Sequence, residues 1–179
     1  MAAITSRRTG DVIATALRHL AHAFALLGSA AALAVATLTV TSVALRALTS
    51  RPIQGDVELA QFGIALAISL AVPWCQLRGA NIIVDFFTQR LPAARIRTLD
   101  GLGALLIAVM FALLAWRTGV GAFAVYQAGE TSMIRGLPMW WVYASLSPGL
   151  ALAAWIALLQ GMLQMRGHSL DVLRGEDRA

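Results

Sequence analysis

His19 and His22 stand three residues apart, a spacing that places two imidazoles on one helix face, where they could hold a metal or a haem iron. No Asp, Glu or Cys stands at ligand spacing beside them. The only other histidine is His168, outside the long apolar stretches, so haem held between two helices lacks its second ligand. Cys75, the single cysteine, ends an apolar stretch and reads as packing rather than as a nucleophile. Gly101-Leu102-Gly103 and Gly119-Val120-Gly121 lack the strand and the further glycines of a phosphate-binding loop, and no G-x-x-x-x-G-K-[ST] is present. Serines and threonines are scattered without a His or acid in register for a triad. No catalytic residue, cofactor or metal is therefore expected.

The elements that would have to position such groups explain their scarcity. Of 179 residues, 59% are hydrophobic and 13% are charged. A soluble domain carries roughly 25% charge, so there is too little polar surface to cover a water-soluble fold of this size. The net charge of +5 might suggest nucleic acid, but all 14 basic residues are Arg in separated clusters, and no nucleic-acid partner is expected. A lone cysteine cannot staple a secreted domain. The composition predicts an all-α membrane protein.

Uncharged stretches locate the crossings. Between Arg18 and Arg46 lie 27 residues without a charge, and Leu59–Leu77 and Gly136–Met165 supply 19 and 30 more. About 20 apolar residues span a hydrocarbon core of about 30 Å. The third stretch, Gly101–Trp116, is interrupted by Arg117 and resumes to Gly129. It is read as one long helix that starts at the interface and keeps Arg117 near the far boundary, where a long side chain can snorkel. The expected spans are about 20–45, 58–78, 98–128 and 137–164, between tails 1–18 and 165–179, all in one membrane domain. Short amphipathic segments are expected at the N-terminus, within residues 6–18, and between the second and third spans.

The arginines then orient the chain. Ten lie in the N-terminal tail, the central loop and the C-terminal tail, against three (Arg46, Arg51 and Arg135) on the opposite side. The positive-inside rule places both termini in the cytoplasm, and the alternation agrees with four crossings. The first apolar stretch exceeds the 7–15 residues of a signal peptide's core, which favours an uncleaved helix.

Smaller features point to packing. Gly28, Ala32 and Ala36 form a small-xxx-small line that would let another helix approach. Trp140, Trp141 and Tyr143 suit an interfacial aromatic belt, Pro138 suits the first turn of the last helix, and Pro148 should kink that helix. An unaided transporter should hold ionisable groups inside its spans. Here only Arg117 does. It could form an anion site, but an ion pair with Glu58, Asp56 or Glu130 at the outer boundary is favoured.

Three pieces in order resemble the small membrane subunit (DctQ-type) of tripartite ATP-independent periplasmic (TRAP) transporters, from about Val43 to Leu163. The first is Leu45-Arg46, Arg51-Pro52-Ile53 and Glu58-Leu59-Ala60. The second is Arg78-Gly79-Ala80-Asn81-Ile82-Ile83-Val84-Asp85 with Arg90-Leu91-Pro92. The third is Gly129-Glu130 and Leu137-Pro138-Met139-Trp140-Trp141-Val142-Tyr143, followed by Pro148-Gly149. The chain departs from the family at Val57, Gln61 and Asn81 and keeps only Glu58 of a usual acidic pair.

The resemblance implies a non-catalytic subunit of a sodium-coupled system that takes up small organic anions, often carboxylates, across the bacterial inner membrane. Its implied partners are a large permease subunit (DctM-type), a periplasmic substrate-binding protein (DctP-type) and membrane lipid. Arg46, Arg51, Glu58, Arg78, Asp85, Arg117, Glu130, Pro138, Trp140, Trp141 and Tyr143 are the structural or interface candidates. The competing readings are a self-sufficient small oligomeric transporter or channel, and a membrane redox subunit.

Overall fold

Alanine- and leucine-rich stretches with few breakers favour helix. In a bilayer the helix also satisfies every backbone polar group within its own segment. The computed structural model describes residues 2–51, 53–79 and 92–167. It contains α1 (Ala2–Thr49), α2 (Asp56–Arg78), α3 (Ala93–Ala128) and α4 (Trp140–Met165). Among the described residues the only β pairing is one bridge, Thr131 with Pro138. Each helix holds a stretch long and apolar enough to cross a membrane, so the chain is an all-α, multi-pass membrane protein.

α1 has 48 residues, about 72 Å at 1.5 Å per residue. That is more than twice a hydrocarbon core, so its first turns project beyond the other helices. The N-terminal amphipathic segment, expected as a separate short helix, is therefore the beginning of α1, because nothing in residues 6–18 forces a break. The expected segment between α2 and α3, with Asp85 and Arg90, lies outside the described residues, as does the tail beyond Gly167. α3 runs unbroken through Arg117.

The helices stand in a row. α1 packs on α2, α2 on α4 and α4 on α3; α1 only grazes α4, and α3 touches neither α1 nor α2. α1 meets its neighbour along a narrow stripe at seven-residue intervals, with Ala14, Ala21, Gly28 and Ser42 buried and Val35 half-buried. A seven-residue repeat keeps one seam against a partner helix. Only Gly28 of the small-residue line follows that seam. A Cβ there would lie 2.8 Å from the Ala67 carbonyl, whereas Ala32 and Ala36 are exposed, because four-residue steps drift off a seven-residue seam.

Polar groups stitch the row together. The closest backbone approach joins α2 to α4: Pro73 has no N–H to give the Ser69 carbonyl, and a Cβ on Gly149 would lie 2.2 Å from that oxygen. Ser69 donates its hydroxyl to the Leu146 carbonyl at 2.7 Å, and Ser147 donates to Ala115 of α3 at 3.1 Å. Gln76 and Gln160, 4% and 3% exposed, form a reciprocal buried contact. The Gln76 amide donates to Gln160 Oε1 at 2.8 Å, and Gln160 Nε2 donates to the Gln76 carbonyl at 2.9 Å. Lone hydroxyls in α1 fold back instead, as Thr37 does onto the Leu33 carbonyl at 2.8 Å, so they add little cost in lipid.

The densest packing lies at the Arg78 end, where Ala14, Leu17, Ala21, Leu77 and Ile156 cluster with Trp74 against them. Large apolar side chains elsewhere are uncovered, including Leu33 and Val40 of α1 and Leu113, Trp116 and Phe123 of α3. A row of four leaves its two outer helices open on most of their circumference.

Candidate functional site

Most of the predicted residues gather at the other end, around the first turn of α2. Glu58 sits there, where the helix dipole favours a carboxylate. A turn from the α3–α4 connection folds over it. Gly129 closes α3 at φ 65°, with its N–H on the Tyr126 carbonyl and the Glu130 N–H on Val125. This is the left-handed helix stop that glycine adopts without a Cβ penalty. Ser132 and Leu137 then pair through the backbone at 2.8 Å, and the Met139 N–H reaches the Glu130 carbonyl at 3.0 Å.

Those two bonds flank the Thr131–Pro138 pair, which itself needs none. This corrects the expected place of Pro138. It lies in the bridge before α4, which begins at Trp140, and its missing N–H is harmless because that position has no bond to make.

The tip of this turn delivers its donors to Glu58. One carboxylate oxygen accepts the Ser132 hydroxyl at 2.8 Å and the Arg135 N–H at 3.3 Å. The other accepts the Ile134 N–H at 2.9 Å. Successive backbone amides bent around an anion form a ready-made anion cradle, here filled by the protein's own carboxylate. Arg135 extends back and donates its Nε to the Gln54 carbonyl at 2.9 Å. Its aliphatic stem lies over Gly55, where a Cβ would meet Cγ at 2.8 Å. Ser42 of α1 donates to the second acid of α2, Asp56, whose other oxygen takes the Val57 N–H at 2.8 Å. The Ile53 N–H approaches the same Ser42 hydroxyl at 3.4 Å. Two distant parts of the chain, α1 and the α3–α4 turn, are thus tied to the start of α2.

The ion pair expected between Arg117 and Glu58, Asp56 or Glu130 is not formed. Glu58 is occupied by the turn and Asp56 by Ser42 and its own helix start, while Arg117 is exposed on α3, which does not touch α2. Arg46 is exposed in the last turn of α1, Arg51 is exposed just after it, and Glu130 is exposed and contributes its backbone. Trp140 packs edge-on against Tyr126 with ring centres 5.6 Å apart and tilts against Trp141 at 5.3 Å, tying the start of α4 to the end of α3. Tyr143 lies beside Gly121 of α3. Arg78 is at the opposite end, its guanidinium 4.9 Å from the Trp74 ring centre.

Sequence reasoning missed Ser42, Ser132 and the Gln76–Gln160 pair. The two glutamines carried a usable signal, since an amide inside an apolar span must find a partner. The serines carried none: their roles depend on which distant segment arrives beside them. The site offers no group for bond-making chemistry. Its carboxylate already accepts three donors, and no cluster of three potential metal ligands occurs among the described residues. It acts as a clamp.

No curated protein and no solved structure matches the chain significantly. The family model described as tripartite ATP-independent periplasmic transporters, DctQ component, matches residues 35–167. That match covers about three quarters of the chain, from the last third of α1 through the clamp to the end of α4. The chain belongs to the DctQ family, the small permease subunits of TRAP transporters.

Proposed function

We propose that this chain is the non-catalytic small subunit that braces the large, DctM-type permease of a sodium-coupled carrier for small organic anions of the carboxylate class. In this reading both termini lie in the cytoplasm, the protein resides in the bacterial inner membrane, and the Glu58 clamp faces the periplasm. There the exposed Arg46, Arg51 and Glu130 help to dock the DctP-type binding protein.

One observation carries the reading. Four polar side chains within α2 and α4, Ser69, Gln76, Ser147 and Gln160, join helix to helix, whereas the apolar flanks of α1 and α3 are left open. A carrier needs polar groups along a path, and a brace needs faces for another protein. The groove between α3 and α4, about 500 Å³, has a floor of Ala108, Ala112, Ala115 and Ala151 between Trp116 and Trp155. Small residues allow the close helix approach that drives association in lipid. We assign this groove to a helix of the large subunit.

The test is reconstitution. Proteoliposomes holding both membrane subunits and supplied with the binding protein should take up substrate on a sodium gradient, and this chain alone should not. Ala112→Trp should reduce copurification of the large subunit. Sodium-driven flux by the chain alone would overturn the proposal in favour of a self-sufficient oligomeric carrier.

A further inference from the structure

At the Arg78 end, α1 and α2 form an open-sided cavity of about 360 Å³ lined by Thr15, Arg18, His19, His22 and Trp74. Its charged lining is entirely basic. Arg18 reaches the Thr15 hydroxyl at 3.2 Å, yet its Nε is covered and has no hydrogen-bond partner. A covered donor without an acceptor is costly unless something outside the protein supplies one. His22 meets the Trp74 ring edge-on at 5.1 Å, and Arg78 lies over the same ring, so a second guanidinium stands at the rim. Tryptophan at a helix end marks the headgroup level of a bilayer. Towards the membrane centre, the face of α1 that carries His19 and His22 continues through Leu26 and Leu33, both exposed, which can lie along an acyl chain.

From these features we infer that the cavity binds the phosphodiester headgroup of an anionic glycerophospholipid. The phosphate accepts from Arg18, Thr15 and the imidazoles, the guanidinium of Arg78 closes the outer side, and one acyl chain follows the Leu26–Leu33 face. Basic pockets between transmembrane helices are suited to such headgroups, and arginine suits phosphate through its planar fork of donors. The inference needs only that α1 and α2 cross a bilayer, so it stands or falls separately from the transport role.

The full-length chain, purified in mixed micelles of phosphatidylglycerol and phosphatidylcholine, can be examined by native mass spectrometry. One phosphatidylglycerol should remain bound under activation that strips phosphatidylcholine. Arg18→Gln should lower the retained fraction about five-fold, the change expected from losing one basic side chain near an anionic headgroup. The double variant H19Q/H22Q, which leaves Arg18 in place, should lower it in the same direction and decides the matter if Arg18→Gln fails to insert. Arg117→Gln should leave retention unchanged. Equal retention of both lipids by the unaltered chain, or full retention in the cavity variants, would overturn the inference. Displacement of the lipid by millimolar inorganic phosphate would show that the cavity takes free phosphate and would overturn the lipid assignment.

Discussion

The two ends of the helix row handle charge in opposite ways. At the Glu58 end the acids are bound by the protein itself: Glu58 takes three donors from a turn more than seventy residues away, and Asp56 takes Ser42. At the Arg78 end a buried glutamine pair and an apolar cluster provide the cohesion, while Arg18 keeps a covered donor without a partner. The two acids of α2 at one end are taken up by the fold, and at the other Arg18 has a donor to offer a ligand. A charged residue near a membrane boundary therefore says little about its role until its partners are known.

The contrast can be broken most severely by uncoupling the ends. Gly149→Leu would force a side chain into the Ser69 backbone and separate α2 from α4. We expect about 3 kcal/mol of destabilisation, at the upper end of ordinary overpacking, measured as reversible unfolding in detergent. Unchanged stability would mean that the row is held elsewhere.

Gln160→Leu comes next. It removes the acceptor that Gln160 gives the Gln76 amide and the donor that it gives two backbone carbonyls, and should cost about 1–2 kcal/mol in the same assay. A stabilised variant would show that the glutamine pair is not a source of cohesion.

Glu58→Gln sharpens the contrast more locally. The neutral amide is a weaker acceptor and brings a donor where only donors stand, so the Ile134 and Arg135 amides should exchange hydrogen faster. The Gln76–Gln160 end should be unaffected. Exchange rates that rise equally at both ends would contradict the separation.

The smallest effect belongs to Arg117→Glu. Because Arg117 makes no ion pair with the acids of α2, reversal should leave the stability of the isolated chain within about 0.5 kcal/mol, as for other surface substitutions. A large loss would restore the ion pair expected from the sequence.

Particular residues show where legibility stopped. The four apolar stretches were readable because hydropathy is carried by each segment on its own. Glu58 is recognisable as a residue of interest, but its partner is not: nothing along the chain says that α3 stands beyond α4 and out of reach of α2. The sequence leaves the place of Pro138 ambiguous, since a proline suits the first turn of a helix and a non-bonded position of a bridge equally well. Gln76 and Gln160 were legible in principle, as amides buried in apolar spans. Ser42 and Ser132 were not, because serine occurs in helices and turns alike.

The sequence by itself determined that this protein crosses the membrane four times as helices, and to which family it belongs. Transfer of each segment from water into hydrocarbon depends on that segment's own side chains. Only the tertiary structure decided the order of the row, the closure of the α3–α4 turn on Glu58 and the basic cavity beside Trp74. Inside lipid no difference in hydrophobicity sorts one helix against another. Arrangement therefore falls to close packing at residues such as Gly28 and Gly149 and to hydrogen bonds between distant groups, and both depend on shape in three dimensions.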